Sequence, residues 1–277
     1  MVNVNTLAYH DVVRDGNPGE SGFMSPHADA FKLEHRLFTS HLRSIASAVQ
    51  ETPILLDQLA ATAPRGKLWM LSFDDGGASA ATTTVDALAE FGWKAHFFVA
   101  TDFIGHGGFL TAEEIRRLRR LGHLIGTHTC SHPHPTTHCS RERLLDEWGR
   151  SAAVLSDILG EPVWMGSIPG GSYSRFVVEV AAEAGLTALF TSEPTSKCWS
   201  VGGCRVFGRY AYRRGVSPQT MAALARGELL PRLRQRAAWN CKKVLKKVIG
   251  QRVFDLGRRL LLRERKVASP PTNGNEV

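Results

Sequence analysis

The chain has 277 residues, 43% apolar and 22% charged, enough for one large domain or two small ones with a real core, and unlike a disordered or fibrous chain. Its net charge of +8 is unevenly spread: Lys and Arg crowd into residues 231–266, where only Asp255 and Glu264 oppose them, so the rest of the chain is net negative. The five Cys are irregularly spaced and odd in number, which suits reduced thiols better than a disulfide framework.

The opening MVNVNTLAYHDVV lacks the basic and apolar regions of a secretory signal. No stretch reaches the roughly 18 uninterrupted apolar residues of a membrane span, so a cytoplasmic location is expected. In chain order, a buried strand at 4–9 precedes a helix at 34–50. Strand 67–73, helix 79–91, strand 94–100 and helix 111–121 follow, then strand 123–127, helix 140–159, strand 163–167, helix 174–184, strand 187–191 and helix 217–226. Thr111 with Glu114 makes a capping box, and Gly92, Gly122, Gly160 and Gly185 stand where helices should stop. This alternation predicts an α/β domain over 1–230, a mainly parallel sheet wrapped by helices.

Residues 231–266 repeat apolar positions at helical spacing (Leu233, Ala237, Cys241, Val244, Val248, Leu256, Leu260) with Lys and Arg between them. They predict a basic amphipathic helical tail, interrupted near Gly250 and Gly257, before a disordered end at 267–277. Such a tail suits peripheral contact with an anionic inner membrane face, or equally an ordinary helix packed on the body. It lacks the Arg and aromatic interleaving of a nucleic-acid surface, and no nucleic acid is expected as partner.

Chemistry in such folds gathers where strands end. Strand 67–73 runs into Asp74-Asp75-Gly76, strand 123–127 into His128 and His132, and the first strand into His10. Histidines four residues apart share a face on a helical turn, and with a carboxylate they make a mononuclear site for zinc or another borderline divalent metal. Successive side chains leave a strand on opposite faces, so adjacent aspartates invite separate tasks: Asp75 turned onto the ion, Asp74 free as general base. Read alone, Asp-Asp-Gly also describes a turn. Cys130, His134, His138 and Cys139 offer a second ligand set, against which Pro133 and Pro135 hold that segment extended.

These motifs resemble the polysaccharide deacetylases of carbohydrate esterase family 4. Ser72-Phe73-Asp74-Asp75-Gly76 is similar to their Thr-Phe-Asp-Asp-Gly, and His128-Thr129-Cys130-Ser131-His132 to their His-Ser/Thr-x-x-His. Over residues 4–215 the resemblance implies a distorted (β/α) barrel, one divalent metal on Asp75, His128 and His132 (zinc first, cobalt or nickel next), and Asp74 as base. The third motif, Arg-x-Pro-Tyr/Phe-Gly, survives in part as Ser167-Ile168-Pro169-Gly170-Gly171. Gly170 N–H keeps the role of oxyanion donor, while Ser167 replaces the Arg that orients the base, a task left to Arg205 or Arg209. No His follows His138 to supply the Leu-x-His acid. Tyr9-His10-Asp11 resembles that motif moved to the front, as in the permuted biofilm poly-N-acetylglucosamine deacetylases, and makes His10 the acid, with Ala8 leaving room in the acyl pocket. Pro169, Tyr173, Glu193 and Arg209 are the expected substrate contacts, with Trp164 and Trp199 as further sugar-stacking candidates. The implied activity is metal-dependent removal of an N-acyl group, acetyl foremost, from an amino sugar of an intracellular glycan, lipid-linked sugar or glycosylated metabolite. The alternative is a noncatalytic carbohydrate-binding protein on the same fold.

Overall fold

Strand and helix alternate in the computed structural model, which describes residues 3–61 and 68–249. Strand β1 (Val4–Tyr9) leads into the short pair β2 (Val12–Val13) and β3 (Leu33–Glu34), which flank a long loop. Then come α1 (His35–Ala48), α2 (Gln58–Ala61), β4 (Leu68–Phe73), α3 (Thr83–Ala89), β5 (His96–Val99), α4 (Ala112–Arg120) and β6 (Leu124–Thr127). They are followed by α5 (Arg141–Leu159), β7 (Met165–Ser167), α6 (Arg175–Glu183) and β8 (Ala188–Phe190), and by a hairpin of β9 (Cys198–Val201) and β10 (Cys204–Phe207). Last are β11 (Tyr210–Ala211), α7 (Pro218–Ala225) and α8 (Leu229–Ile249).

Nine strands make one curled half-barrel sheet in the order β11-β1-β4-β5-β6-β7-β8-β10-β9. Every ladder in it is parallel except the β10–β9 hairpin. Alternation along each strand divides the core. Met70, Phe98, Met165, Phe190 and Phe207 fill the inside, while Trp69, Leu71, Phe73 and Phe97 face the helices. The curl is tight enough that Gly126 has no room for a side chain: a Cβ there would lie 2.7 Å from the Phe98 ring and 2.8 Å from the Met165 carbonyl oxygen. The capping box at Thr111 and Glu114 forms as expected, and Gly160 ends α5 in the left-handed conformation.

Register decides what meets at the edge where the parallel strands end. β1 lies flush on β4, from Val4 opposite Leu68 to Tyr9 opposite Phe73, so His10 and Asp74 leave the sheet side by side. The hairpin and the short β11 are the parts of the sheet that the sequence reading passed over. The hairpin's Gly202-Gly203 turn, both residues at positive φ, is the two-residue connection that hairpin twist favours.

The sheet edges β11 and β9 are not joined by a ladder, and α8 lies along this seam. Its first turns sit beside Asn5 and Gly227, near the N-terminal ends of the strands, where Arg232 donates to the Tyr210 hydroxyl (2.7 Å) and the Ser196 hydroxyl (2.6 Å). Further along, Gln235 donates to the Ala211 carbonyl (3.3 Å). Trp239 Nε1 donates to Glu193 (3.1 Å) and Lys243 pairs with the same carboxylate. The expected breaks at Gly250 and Gly257 and the end at 267–277 lie outside the described residues.

Candidate active site

Asp75 answers the puzzle of adjacent aspartates through its backbone. It sits at φ 76° and Gly76 at 79°, so the chain reverses and the second carboxylate swings to the same side as the first. A non-glycine residue in this region costs about 1–2 kcal/mol. A side chain on Gly76 would meet Val99 Cγ1 at 2.9 Å, which leaves the strain on Asp75.

The two histidines arrive on an irregular bend rather than the expected helical turn. Thr129 (φ 65°) and His132 (φ 54°) are both left-handed, and the bend is held from α5 by the buried Glu147. Its carboxylate accepts the N–H groups of Cys130 and Ser131, each at 2.9 Å, and the Ser131 hydroxyl. His128 Nδ1–H donates to the Ser167 carbonyl (2.8 Å), which fixes the tautomer and leaves Nε2 for the site. Both His128 Nε2 and His132 Nε2 lie 3.4 Å from Asp75 Oδ1. Ligand atoms about 2.1 Å from one tetrahedral ion are themselves about 3.4 Å apart, so the spacing fits a zinc-sized cation. Asp75 Oδ1 is buried and satisfied by no hydrogen bond. Among the described residues this trio is the one His, Cys, Asp or Glu group arranged to hold a metal. Burial pushes the Asp75 carboxyl up, yet the imidazoles of His128, His132 and His10 hold it well below the ordinary range.

Asp74 is not free, as its place beside the metal ligands suggested, but clamped. Arg209, wholly buried, donates from Nη1 to Asp74 Oδ1 (2.7 Å) and from Nη2 to Asp74 Oδ2 (2.8 Å). It also donates from Nη1 to the Ser72 hydroxyl (3.2 Å), from Nη2 to the Ser167 hydroxyl (2.8 Å) and from Nε to the Thr191 carbonyl (3.0 Å). All the N–H donors of a guanidinium are thereby used. Arg209 therefore orients Asp74 and does not reach substrate, which corrects its place among the expected substrate contacts. Burial raises the Asp74 carboxyl, but Arg209 and then His128 outweigh it and keep the group below its ordinary range. Arg205 lies on β10, with its guanidinium over the Phe207 ring.

His10 stands at the head of β1 against the Phe31 ring (centroids 4.8 Å apart), and its Nδ1 is buried without a hydrogen bond. It is near enough to act electrostatically on Asp11, Asp74 and Asp75. Asp11 holds the covering loop in place by accepting the hydroxyls of Ser21 (2.5 Å) and Ser79 (3.0 Å). That loop brings Phe23 onto His132, with ring centroids 4.8 Å apart. Burial is the leading cause of the raised Asp11 pKa.

Gly170 follows β7 at φ 67°, exposed, and its N–H meets no protein acceptor among the described residues. A Cβ there would lie 2.2 Å from the His134 ring, so His134 fills the space next to the glycine that replaces the motif aromatic. Pro169 is buried, and its carbonyl accepts the Thr136 hydroxyl (3.2 Å), tying the His132 bend to this loop. Tyr173 packs edge-on against Trp199 (5.3 Å). Glu193 is engaged by Trp239 and Lys243 of α8, so its carboxylate anchors the seam helix instead of facing a sugar. Glu147 and Phe23 were missed in the sequence, where a carboxylate inside a helix and an aromatic residue in a loop carry no local signal.

Residues 61–189 match the family model described as polysaccharide deacetylase. Chitin deacetylase 1 of Cryptococcus neoformans var. grubii is 29% identical over 158 residues, 54% of this chain and 33% of that protein. YxkH of Bacillus subtilis is 26% identical over 156 residues, 56% of this chain and 53% of that protein. The chain thus spans between about a third and a half of the length of these curated relatives. Among solved structures, the Streptococcus pyogenes deacetylase PplD in complex with acetate superposes with a TM-score of 0.64 at 20% identity, covering 79% of this chain and 96% of that one. IcaB from Ammonifex degensii gives 0.64 at 20% identity, covering 82% and 98%. At this identity the two structures speak for the fold alone.

Proposed function

We propose that this chain, which belongs to the polysaccharide deacetylase family, hydrolyses the N-acetyl group of an amino sugar, carried on a glycan or a lipid-linked oligosaccharide, at the edge where Asp74, Asp75, His128, His132 and His10 meet. The observation that carries the reading is the pair of adjacent carboxylates in different states: Asp75 with a bare oxygen 3.4 Å from two imidazole nitrogens, Asp74 gripped through both oxygens by Arg209. Asp75, His128 and His132 would hold the divalent metal, zinc by their donor chemistry, which when bound supplies a Lewis acid for the acyl carbonyl and lowers the pKa of a water. Asp74, kept ionised and aimed by Arg209, accepts the proton of the attacking water. Gly170 N–H donates to the oxygen that gains charge as the carbonyl carbon becomes tetrahedral. His10 gives a proton to the departing nitrogen, so that a free amine and acetate leave. Phe23 and Phe31 wall the site, limiting water and presenting apolar faces to the acyl group.

With Arg209 supplying the guanidinium missing at Ser167, the ground for a noncatalytic carbohydrate-binding reading is weaker. The test is release of free amine from a panel of N-acetylated oligosaccharides, with and without chelator, for the native chain and His10→Ala. Zinc-dependent amine release, reduced about 10²-fold in His10→Ala, supports the reading. A panel without turnover in the zinc-loaded chain, or turnover indifferent to chelator, sinks it.

A further inference from the structure

Helix α8 is polar toward the barrel and apolar toward solvent, the reverse of an ordinary surface helix. Arg232, Gln235, Trp239 and Lys243 form its inner face, each hydrogen-bonded to the seam. At about 100° per residue, the opposite face is Leu230, Leu233, Ala237, Cys241 and Val244, every one exposed. The large apolar ones are far from buried: Leu230 is 59% exposed, Leu233 49%, Val244 63% and the neighbouring Leu245 45%. Arg234 and Arg236 flank this stripe, one on each side, and from Leu229 to Ile249 the sequence has Lys and Arg but no Asp or Glu.

We propose that this outer face of α8 docks on an anionic lipid bilayer, the apolar stripe entering the headgroup boundary and the flanking cations meeting lipid phosphates. Charge selects the occupant. A second copy of the chain placed on the same stripe would set one uniformly cationic helix against another, which is repulsive. An anionic surface satisfies stripe and flanks together. No described helix is long and apolar enough to cross a membrane, so the contact is peripheral. Because α8 runs along the seam from the N-terminal strand ends to Glu193 at the catalytic edge, docking lays the barrel on its side, with the site opening at the level of the membrane surface. Docking stands independently of the hydrolase reading. The substrate it would present, an amino sugar on a lipid carrier, rests on that reading.

The experiment is sedimentation of the full chain with phosphatidylcholine vesicles, with or without about 30 mol% phosphatidylglycerol, alongside hydrolysis of a soluble N-acetylated oligosaccharide. We expect at least about tenfold tighter association with the anionic vesicles, weakened by raising the salt to about 0.5 M. Leu230→Glu with Leu233→Glu should abolish association and Arg234→Glu with Arg236→Glu should reduce it about tenfold, both pairs retaining hydrolysis and helical content. Failure to bind anionic vesicles, or binding indifferent to both pairs, overturns the proposal. So does a dimer that the Leu230→Glu, Leu233→Glu pair dissociates in a chain that ignores vesicles. Vesicle binding without hydrolysis would leave docking standing and remove the proposed activity.

Discussion

Replacing Arg209 separates an orienting role from a substrate-binding one. Arg209→Met leaves Asp74, 6% exposed, as a buried carboxylate without its partner, a change that costs about 3–5 kcal/mol of stability when one half of a buried pair is removed. Arg209→Lys keeps the charge, but an ammonium has three donors where the guanidinium uses five. At about 1–1.5 kcal/mol for each lost hydrogen bond, the two acceptors left over make a deficit of about 2–3 kcal/mol. Denaturant unfolding reads both values. In steady-state kinetics on an N-acetylated oligosaccharide, misaligned Asp74 should lower kcat about 10²-fold in Arg209→Lys and leave KM nearly unchanged, because the side chain is out of reach of substrate. The Ser167 hydroxyl lies 2.8 Å from the guanidinium, so an arginine started from that position can reach the same carboxylate. Ser167→Arg with Arg209→Ala should therefore recover part of kcat, though less of the stability, since the arginine stem leaves a void. A rise in KM with kcat intact would refute the orienting role, as would full activity in Arg209→Met.

Three other outcomes follow from the packing. Glu147→Ala frees two N–H groups of the bend between the metal-site histidines and should weaken zinc affinity about 10–100-fold in a competitive chelator titration; unchanged affinity would mean the bend holds itself. Gly126→Ala places a methyl against the Phe98 ring and a backbone carbonyl and should cost about 1–3 kcal/mol in urea unfolding, whereas a neutral result would show the inner layer yields. His96 accepts Leu56 N–H at Nε2 (3.0 Å) and is bonded through Nδ1 to the Leu71 carbonyl (2.9 Å), and burial lowers its pKa to about 4. The unfolded chain then binds more protons than the folded one between about pH 4 and 6.5, so stability falls as the pH is lowered through that window, by about 2 kcal/mol from His96 alone on going from pH 7 to 5. His96→Asn should be less stable overall yet lose that much of the pH difference, and an unaltered difference would contradict the assignment.

Much of this architecture is legible in the sequence because burial and periodicity are local signals. The run LWMLSF is buried on both faces, and the expected strand at 67–73 stands as Leu68–Phe73. The run ERLLDEWGRSAAVLSDIL keeps helical period up to Gly160, and α5 ends there. That Asp75, His128 and His132 would cluster was also readable, since each follows a strand. What escaped depends on tertiary geometry. The spacing of His128 and His132 suggested a helical turn, but the bend is set by Glu147 from a distant helix. The sequence offered Arg205 or Arg209 as the partner of Asp74 and could not choose between them; the curl of the sheet past β8 brings Arg209 to the carboxylate and leaves Arg205 over the Phe207 ring. Glu193 at a strand end looked like a sugar contact until α8 was placed over the seam. For α8, periodicity revealed the amphipathic pattern but not which face turns outward, because that is settled by hydrogen bonds to Ser196, Tyr210, Ala211 and Glu193.

The division of labour between adjacent aspartates is tested most directly by zinc stoichiometry and turnover measured together in Asp74→Asn. The asparagine keeps the size of the side chain and can still accept from Arg209, while the three metal-site residues are untouched. The account predicts about one zinc per chain, as in the native protein, with amine release from the N-acetylated oligosaccharide lowered at least about 10³-fold. Turnover within about tenfold of native in a zinc-loaded Asp74→Asn chain would contradict it.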